Sequence, residues 1–146
     1  MFRGRSNHII DPKGRVSIPP RFKDLLKSIG DPRLIVTHLE QCLVAYPYKD
    51  WLELEEKLSQ LSQVDRDIRS FKRYFVSGAS ECNLDSQGRI LIPPSLRDFA
   101  RLEKDVVLAG QLKCFEIWEK TRFEEELSRS LKNLPALEDK LASLGL

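Results

Sequence analysis

Asp11-Pro-Lys-Gly-Arg15-Val-Ser-Ile-Pro-Pro20 returns as Asp85-Ser-Gln-Gly-Arg89-Ile-Leu-Ile-Pro-Pro94, 74 residues further along the chain. Extended to Asp24 and Asp98, half of the aligned positions are identical. Repetition of this kind means that one supersecondary unit has been used twice. The shared residues therefore speak for the fold, and the differing ones for function. Within the phrase, Gly14 and Gly88 stand where a tight turn needs φ > 0, which glycine adopts without steric cost. Short β-favouring stretches flank each turn: His8-Ile-Ile10 with Val16-Ser-Ile18, and Cys82-Asn-Leu84 with Ile90-Leu-Ile92. Such pairs read as hairpins. The Pro19-Pro20 and Pro93-Pro94 pairs cannot donate to a ladder and end the strands; Pro20 and Pro94 then suit a first helical turn.

Outward from the turns, Phe22, Leu25, Leu26 and Ile29 share one helical face with Gly30 as its stop, and Leu96, Phe99 and Leu102 take the same roles in the second copy. The remainder also aligns, now at an offset of 72: Leu34-Ile-Val-Thr37 with Val106-Val-Leu-Ala109, Gln41-Cys-Leu43 with Lys113-Cys-Phe115, Tyr46 with Trp118, and Trp51 with Phe123. Each repeat reads as strand, tight turn, strand, short helix, strand, strand, long helix. Asp50-x-x-Glu53 and Thr121-x-x-Glu124 have the form of capping boxes. Trp51, Leu54, Leu58 and Leu61 make an apolar stripe, and a further helix runs through Ile68, Phe71 and Phe75 toward Gly78. After the second repeat, Leu127, Leu131 and Leu134 continue a stripe. Pro135 breaks it before Leu137, Leu141 and Leu144.

One small β unit has open edges and too little core to stand alone. Two copies packed together would close the sheet, so the expectation is α+β: one pseudo-symmetric β-barrel of interleaved repeats with flanking amphipathic helices. The expected divisions are 1–52 for the first repeat, 53–77 for linking helices, 78–124 for the second repeat and 125–146 for a C-terminal helical segment.

Composition limits function. The 146 residues are 41% hydrophobic and 32% charged, enough for a core and a soluble surface. No apolar run approaches the roughly 18 residues of a membrane span, and Met1-Phe-Arg-Gly-Arg5 has no apolar segment behind it. A cytoplasmic location and no membrane partner are expected. Net charge is only +2, yet Arg3, Arg5, Lys13 and Arg15 crowd the first repeat while acidic residues gather at Glu53–Glu56 and Glu124–Glu126. That asymmetry allows a basic patch. Cys42, Cys82 and Cys114 are odd in number and form no Cys-x-x-Cys, which points away from disulfides and zinc. Cys42 and Cys114, at repeat-equivalent places, are expected to be buried thiols. With no phosphate loop, metal cluster or Ser/Cys–His pairing, no enzyme, cofactor or small-molecule substrate is expected.

The doubled Asp-x-x-Gly-Arg-x-x-Ile-Pro-Pro, its spacing and the opening Met-Phe-Arg-Gly resemble the MraZ family, bacterial proteins with two AbrB-like (SpoVT-AbrB) modules. The resemblance spans nearly the whole chain. It implies a swapped-hairpin barrel and a sequence-specific, nucleoid-associated regulator of transcription. Such a protein binds repeated DNA elements upstream of its own division and cell-wall gene cluster. It also implies protomers assembled into closed rings, with an octamer as one candidate size. AbrB-like modules also serve as antitoxins or protein-interaction modules, the rival reading.

The expected double-stranded DNA face is Arg3, Arg5, Lys13 and Arg15 with His8 nearby. The second copy offers Glu81, Asn83 and Gln87 at comparable places, so Arg89 is expected to serve the barrel or a protomer interface. Asp11, Gly14, Asp85, Gly88 and Arg89 are expected to hold the two turns. Two readings stay open: Asp11–Arg15 as a purely structural ion pair, and Arg3 and Arg5 as a free, solvated terminus. Trp51, Phe71, Phe75, Trp118 and Phe123 read as packing residues rather than base-stacking platforms.

Overall fold

In a computed structural model describing all residues from Met1 to Leu146, Gly14 and Gly88 adopt φ of +93° and +72°. Each closes its turn the same way: Asp11 N–H donates to Arg15 O (3.0 Å) and Gly14 N–H to Asp11 O (2.9 Å), while Asp85 and Gly88 do likewise at 2.8 and 3.1 Å. The first repeat comprises β1 (Arg5–Ile9), β2 (Arg15–Ser17), α1 (Pro20–Ile29), β3 (Leu34–Leu39), β4 (Cys42–Pro47) and α2 (Tyr48–Ser59). Helix α3 (Arg66–Phe75) leads to β5 (Ser80–Glu81), β6 (Arg89–Leu91), α4 (Pro94–Ala100), β7 (Asp105–Gly110), β8 (Phe115–Glu119) and α5 (Lys120–Asn133). A 3-10 turn (Leu134–Leu137) and α6 (Glu138–Ala142) follow.

The arms of each turn do not pair with each other as the hairpin reading expected. They cross to the other repeat. Strand β1 pairs with β7, β5 with β3, and β2 with β6, all antiparallel. The result is a six-stranded sheet in the order β1-β7-β8-β4-β3-β5 and a separate two-stranded ribbon, β2-β6. Read backwards, the six-stranded order exchanges every strand for its repeat equivalent, as does the ribbon. A pseudo-twofold axis thus passes between β4 and β8 and between β2 and β6. The sheet is open at β1 and β5, so its ladders form no single closed barrel.

Alternation along the strands sends side chains to two cores. On one face Val16 and Ile90 of the ribbon, Phe22 and Leu26 of α1, and Leu96 of α4 pack on Leu43, Val106, Leu108 and Ile117. On the other, Trp51, Phe75 and Phe123 of α2, α3 and α5 cover Ile35, Val44, Val107, Ala109 and Trp118. Phe71 is partly exposed, its ring stacked on Phe75 at 5.1 Å.

Helix starts follow the prolines: Pro19 and Pro93 are N-caps, with Pro20 and Pro94 first in their helices. Gly30 ends α1 in the left-handed region at φ 80°. The two expected capping boxes are corrected. Strands β4 and β8 run straight into helices, so Pro47 precedes α2 without a side-chain cap, and the Glu119 carboxylate caps α5 through the N–H groups of Thr121 and Arg122. Asp65 caps α3 in the same manner. Cys42 and Cys82 are buried free thiols; Cys114 is only half-buried, a departure from expectation. Burial pushes the Cys82 thiol up to about 11. Of the C-terminal leucines, Leu127 packs against the second core and Leu137 and Leu141 are partly buried, while Leu131 and Leu144 stay 67% and 73% exposed.

The first residues are docked. Phe2 is buried, bridges to Leu112, and meets the rings of Phe22 and Phe115 at 5.1 and 5.3 Å. This docking requires Gly110, where a Cβ would fall 2.5–2.6 Å from backbone atoms of Phe2 and Arg3. Gly110→Ala is therefore expected to lower stability by roughly 1–3 kcal/mol, as overpacking does, and to expose the N-terminal segment to early proteolysis. Chemical denaturation alongside limited digestion measures both.

Candidate nucleic-acid interface

The β2-β6 ribbon buries Val16 and Ile90 and turns Arg15, Ser17, Arg89 and Leu91 outward. In its register Arg15 lies across from Leu91, and Ser17 across from Arg89. Both repeats thus place their motif arginine on one face. Each is oriented by its own turn: Arg15 Nε donates to Asp11 Oδ2 at 2.6 Å, and Arg89 Nε to Asp85 Oδ2 at 3.1 Å. The first carboxylate oxygen of each Asp accepts backbone N–H groups, from Lys13 and Arg15 in one turn and from Gln87 and Arg89 in the other. The Nη groups of both guanidinium ions make no side-chain bond within the chain and keep their planar forks for an outside acceptor. The ion pair and the outward fork are therefore compatible.

Two further cations reach the turns, each from the opposite repeat. A Cβ on Gly14 would meet Arg97 Nε at 2.6 Å, and a Cβ on Gly88 would meet Lys23 Cδ at 2.5 Å and Nζ at 2.8 Å. Arg97 of α4 is fixed there by donating from Nε to Ile92 O at 2.9 Å. Glycine in these turns therefore does two things: it supplies φ > 0 and leaves room for a cation. Sequence reasoning missed Lys23 and Arg97. Their signal was a positive charge kept at equivalent positions of both copies.

The first-repeat cluster is not one patch. Arg5 and His8 are three apart on β1 and project to opposite faces of the sheet. Arg5 pairs in register with Ala109 and its guanidinium lies 5.5 Å from the Phe123 ring, on the helix-covered side away from the ribbon. The His8 ring shares a 2.7 Å hydrogen bond with Ser6 Oγ. Burial, then the charge of Arg21, holds its imidazole below its ordinary pKa, which disfavours the charged form that a phosphate contact would use. Arg3 is exposed, and Arg21 pins this segment by donating to Arg3 O and Arg5 O at 3.0 Å each. Lys13 is exposed in the first turn, where Gln87 stands in the second.

The turn carboxylates are held below the usual range, chiefly by the backbone N–H of Arg15 for Asp11 and of Arg89 for Asp85, with the guanidinium adding to it. A lowered folded-state pKa gives stability that is complete above the unfolded value of about 3.9 and is lost as pH falls through the folded one. In Arg15→Ala the backbone donors remain, so the Asp11 midpoint followed by carboxyl NMR should rise only part of the way. Full return to the ordinary value would make the guanidinium the main cause instead.

These features define a class: a duplicated α+β module, its repeats exchanging strands about a pseudo-twofold axis, that presents a ribbon with two aspartate-oriented arginines. The family described as "MraZ protein, putative antitoxin-like" matches the sequence twice, over residues 1–74 and 75–142. A "Transcriptional regulator MraZ" of Syntrophobacter fumaroxidans is 43% identical over 145 residues, covering 99% of this chain and 97% of that one. Proteins of the same name from Desulforapulum autotrophicum and Moorella thermoacetica are 44% and 42% identical, each aligned over all of both chains. The chain belongs to the MraZ family.

Proposed function

We propose that the chain is a sequence-specific DNA-binding regulator of transcription whose reading surface is the outer face of the β2-β6 ribbon. The observation that carries this is the convergence of Arg15 and Arg89 on that face with Nη groups free, beside Lys13, Lys23 and Arg97. The major groove of B-DNA admits a two-stranded β-ribbon, and an arginine fork matches guanine O6/N7 or a phosphate. The relatives' name supports the same reading. Lys13 and Arg15 keep the roles assigned from sequence; Arg89, Lys23 and Arg97 join them; Arg5 and His8 drop out, and Arg3 stays at the periphery.

In its finer form, the chain recognises repeated elements upstream of its own division and cell-wall gene cluster, acting at the nucleoid as a closed ring. The sheet and ribbon together serve as the swapped-hairpin barrel of each protomer, with 1–52 and 78–124 as the repeats. Five cations on a chain of net charge +2 make a weak single grip, because affinity follows the number of phosphates neutralised. A ring presenting the same ribbon several times to tandem sites gains avidity without any added interaction per protomer.

A gel-shift titration against DNA upstream of the chain's own gene, with a scrambled duplex beside it, tests this. Specific binding that weakens steeply with salt is expected. Equal, weak binding of both duplexes would overturn it. The exposed Leu131, Leu134 and Leu144 favour one second reading, an antitoxin-type interaction module. Its signature would be a C-terminal truncation that loses a protein partner while the chain shows no operator binding.

A further inference from the structure

The pseudo-twofold axis of the ribbon relates Arg15 to Arg89 and Ser17 to Leu91. The cations survive the duplication; the residue beside them does not. Leu91 is 56% exposed at the end of β6 on the outward face, directly across from Arg15. The core does not use it, since Ile90 and Ile92 are the buried neighbours. An exposed leucine standing alone needs no explanation, but this one sits between two oriented arginines, where apolar surface would otherwise interrupt a polar face.

We infer that Leu91 is a specificity-determining residue that packs on the C5-methyl group of a thymine next to the base edge read by Arg15. Its counterpart Ser17, beside Arg89, imposes no such preference. This rests on the DNA-binding reading above. The spacing fits the chemistry. Opposite residues of an antiparallel pair have Cβ atoms about 4.5–5.5 Å apart and diagonal ones about 7–8 Å. Arg15 and Arg89 are such a diagonal pair, which corresponds to roughly two base-pair rises of 3.4 Å. Leu91 then falls within one step of whatever Arg15 touches. The thymine methyl is the one apolar group on the major-groove edge and the usual partner of an apolar side chain there, whereas a serine hydroxyl accepts several bases.

A directional consequence follows. An exact twofold ribbon would read a palindrome, as symmetric dimers do. With arginines retained and Ser17 opposed to Leu91, the ribbon grips both halves alike but distinguishes them, so each protomer sits on DNA in one orientation.

The test is selection from a random-sequence duplex library, followed by replacement of each thymine in the enriched site by deoxyuridine, which deletes only the C5-methyl. One position should weaken wild-type binding on the order of fourfold, the worth of one buried methyl group. Leu91→Ser should bind the thymine duplex equally weakly and lose all sensitivity to deoxyuridine; Leu91→Ile should keep it. Ser17→Leu should create a second sensitive position on the other half. Wild-type binding that is indifferent to deoxyuridine everywhere, or a palindromic enriched site, would overturn the inference while leaving DNA binding intact. If Leu91→Ser changes the sedimentation of the protein and weakens all duplexes alike, the leucine belongs to an interface between copies and the inference fails. Absence of any enrichment removes the DNA reading and this inference with it.

Discussion

Phe115→Ala is expected to lower the free energy of unfolding by about 3–5 kcal/mol, the range for deleting a buried phenyl ring. Phe115 opens β8 and is fully buried. Its ring meets Phe2 at 5.3 Å and Phe22 at 5.2 Å, and in register it faces Gly110 on β7 and Ala45 on β4. One side chain of the second repeat thus supports the docked N-terminal segment, the first repeat's helix α1 and the central strand pair. Its repeat equivalent, Leu43, is equally buried but belongs to none of the phenylalanine ring pairs, so the cluster is a feature of this end of the molecule alone. The cavity cannot collapse easily, because Phe2 is held by its own bridge to Leu112. Urea unfolding followed by tryptophan fluorescence and far-ultraviolet circular dichroism measures the loss. The two probes should coincide in the variant as in the wild type. Every arm of one repeat pairs with the other, which leaves no half able to unfold by itself. Two separated transitions, with only one shifted, would contradict the shared core.

The local devices were legible in the sequence. Gly14, Gly88, Gly30 and the Pro-Pro pairs act through backbone geometry set within a few residues, and each does in the structure what its chemistry requires. The Asp11–Arg15 and Asp85–Arg89 pairs are equally local. Partner choice was not legible. His8–Ile10 and Val16–Ile18 look like two arms of one hairpin because they adjoin in the chain, but β1 and β2 diverge after the turn to pair with β7 and β6. Adjacency favours a hairpin only while nothing competes, and here a second, nearly identical turn does compete. That exchange, expected only in the general form of interleaved repeats and a swapped hairpin, creates the most informative juxtaposition, Arg15 with Arg89. It also concealed Lys23 and Arg97, whose positive charge is kept in both copies but whose targets lie in the opposite repeat. Arg5 and His8 lie on opposite faces of the sheet for a different reason. Once the strand is known to begin at Arg5, its period of two assigns them to opposite faces.

Joint substitution of Arg15 and Arg89 by alanine is expected to abolish specific DNA binding at moderate salt. Each arginine alone should cost roughly 1–3 kcal/mol, or about 5- to 150-fold in affinity, the range for a bidentate pairing with a base edge. Where the arginine grips phosphate, the slope of log K against log salt should also fall by about 0.9 for each phosphate no longer neutralised. The effect compounds in a ring, because every protomer engaged is weakened in the same way. Folding should be spared, since both turns keep their backbone bonds and the guanidinium forks point outward. The single variants decide whether both repeats read DNA. Were the first repeat sufficient, Arg89→Ala would bind as the wild type does, and the ribbon would lose its claim to be the reading surface. Arg15→Lys separates phosphate grip from base reading. Lysine keeps the charge but has no planar fork, so binding that survives in Arg15→Lys assigns Arg15 to phosphate. Weakening comparable to alanine assigns it to a base edge, and the same duplexes titrated at two salt concentrations give the answer independently through the slope.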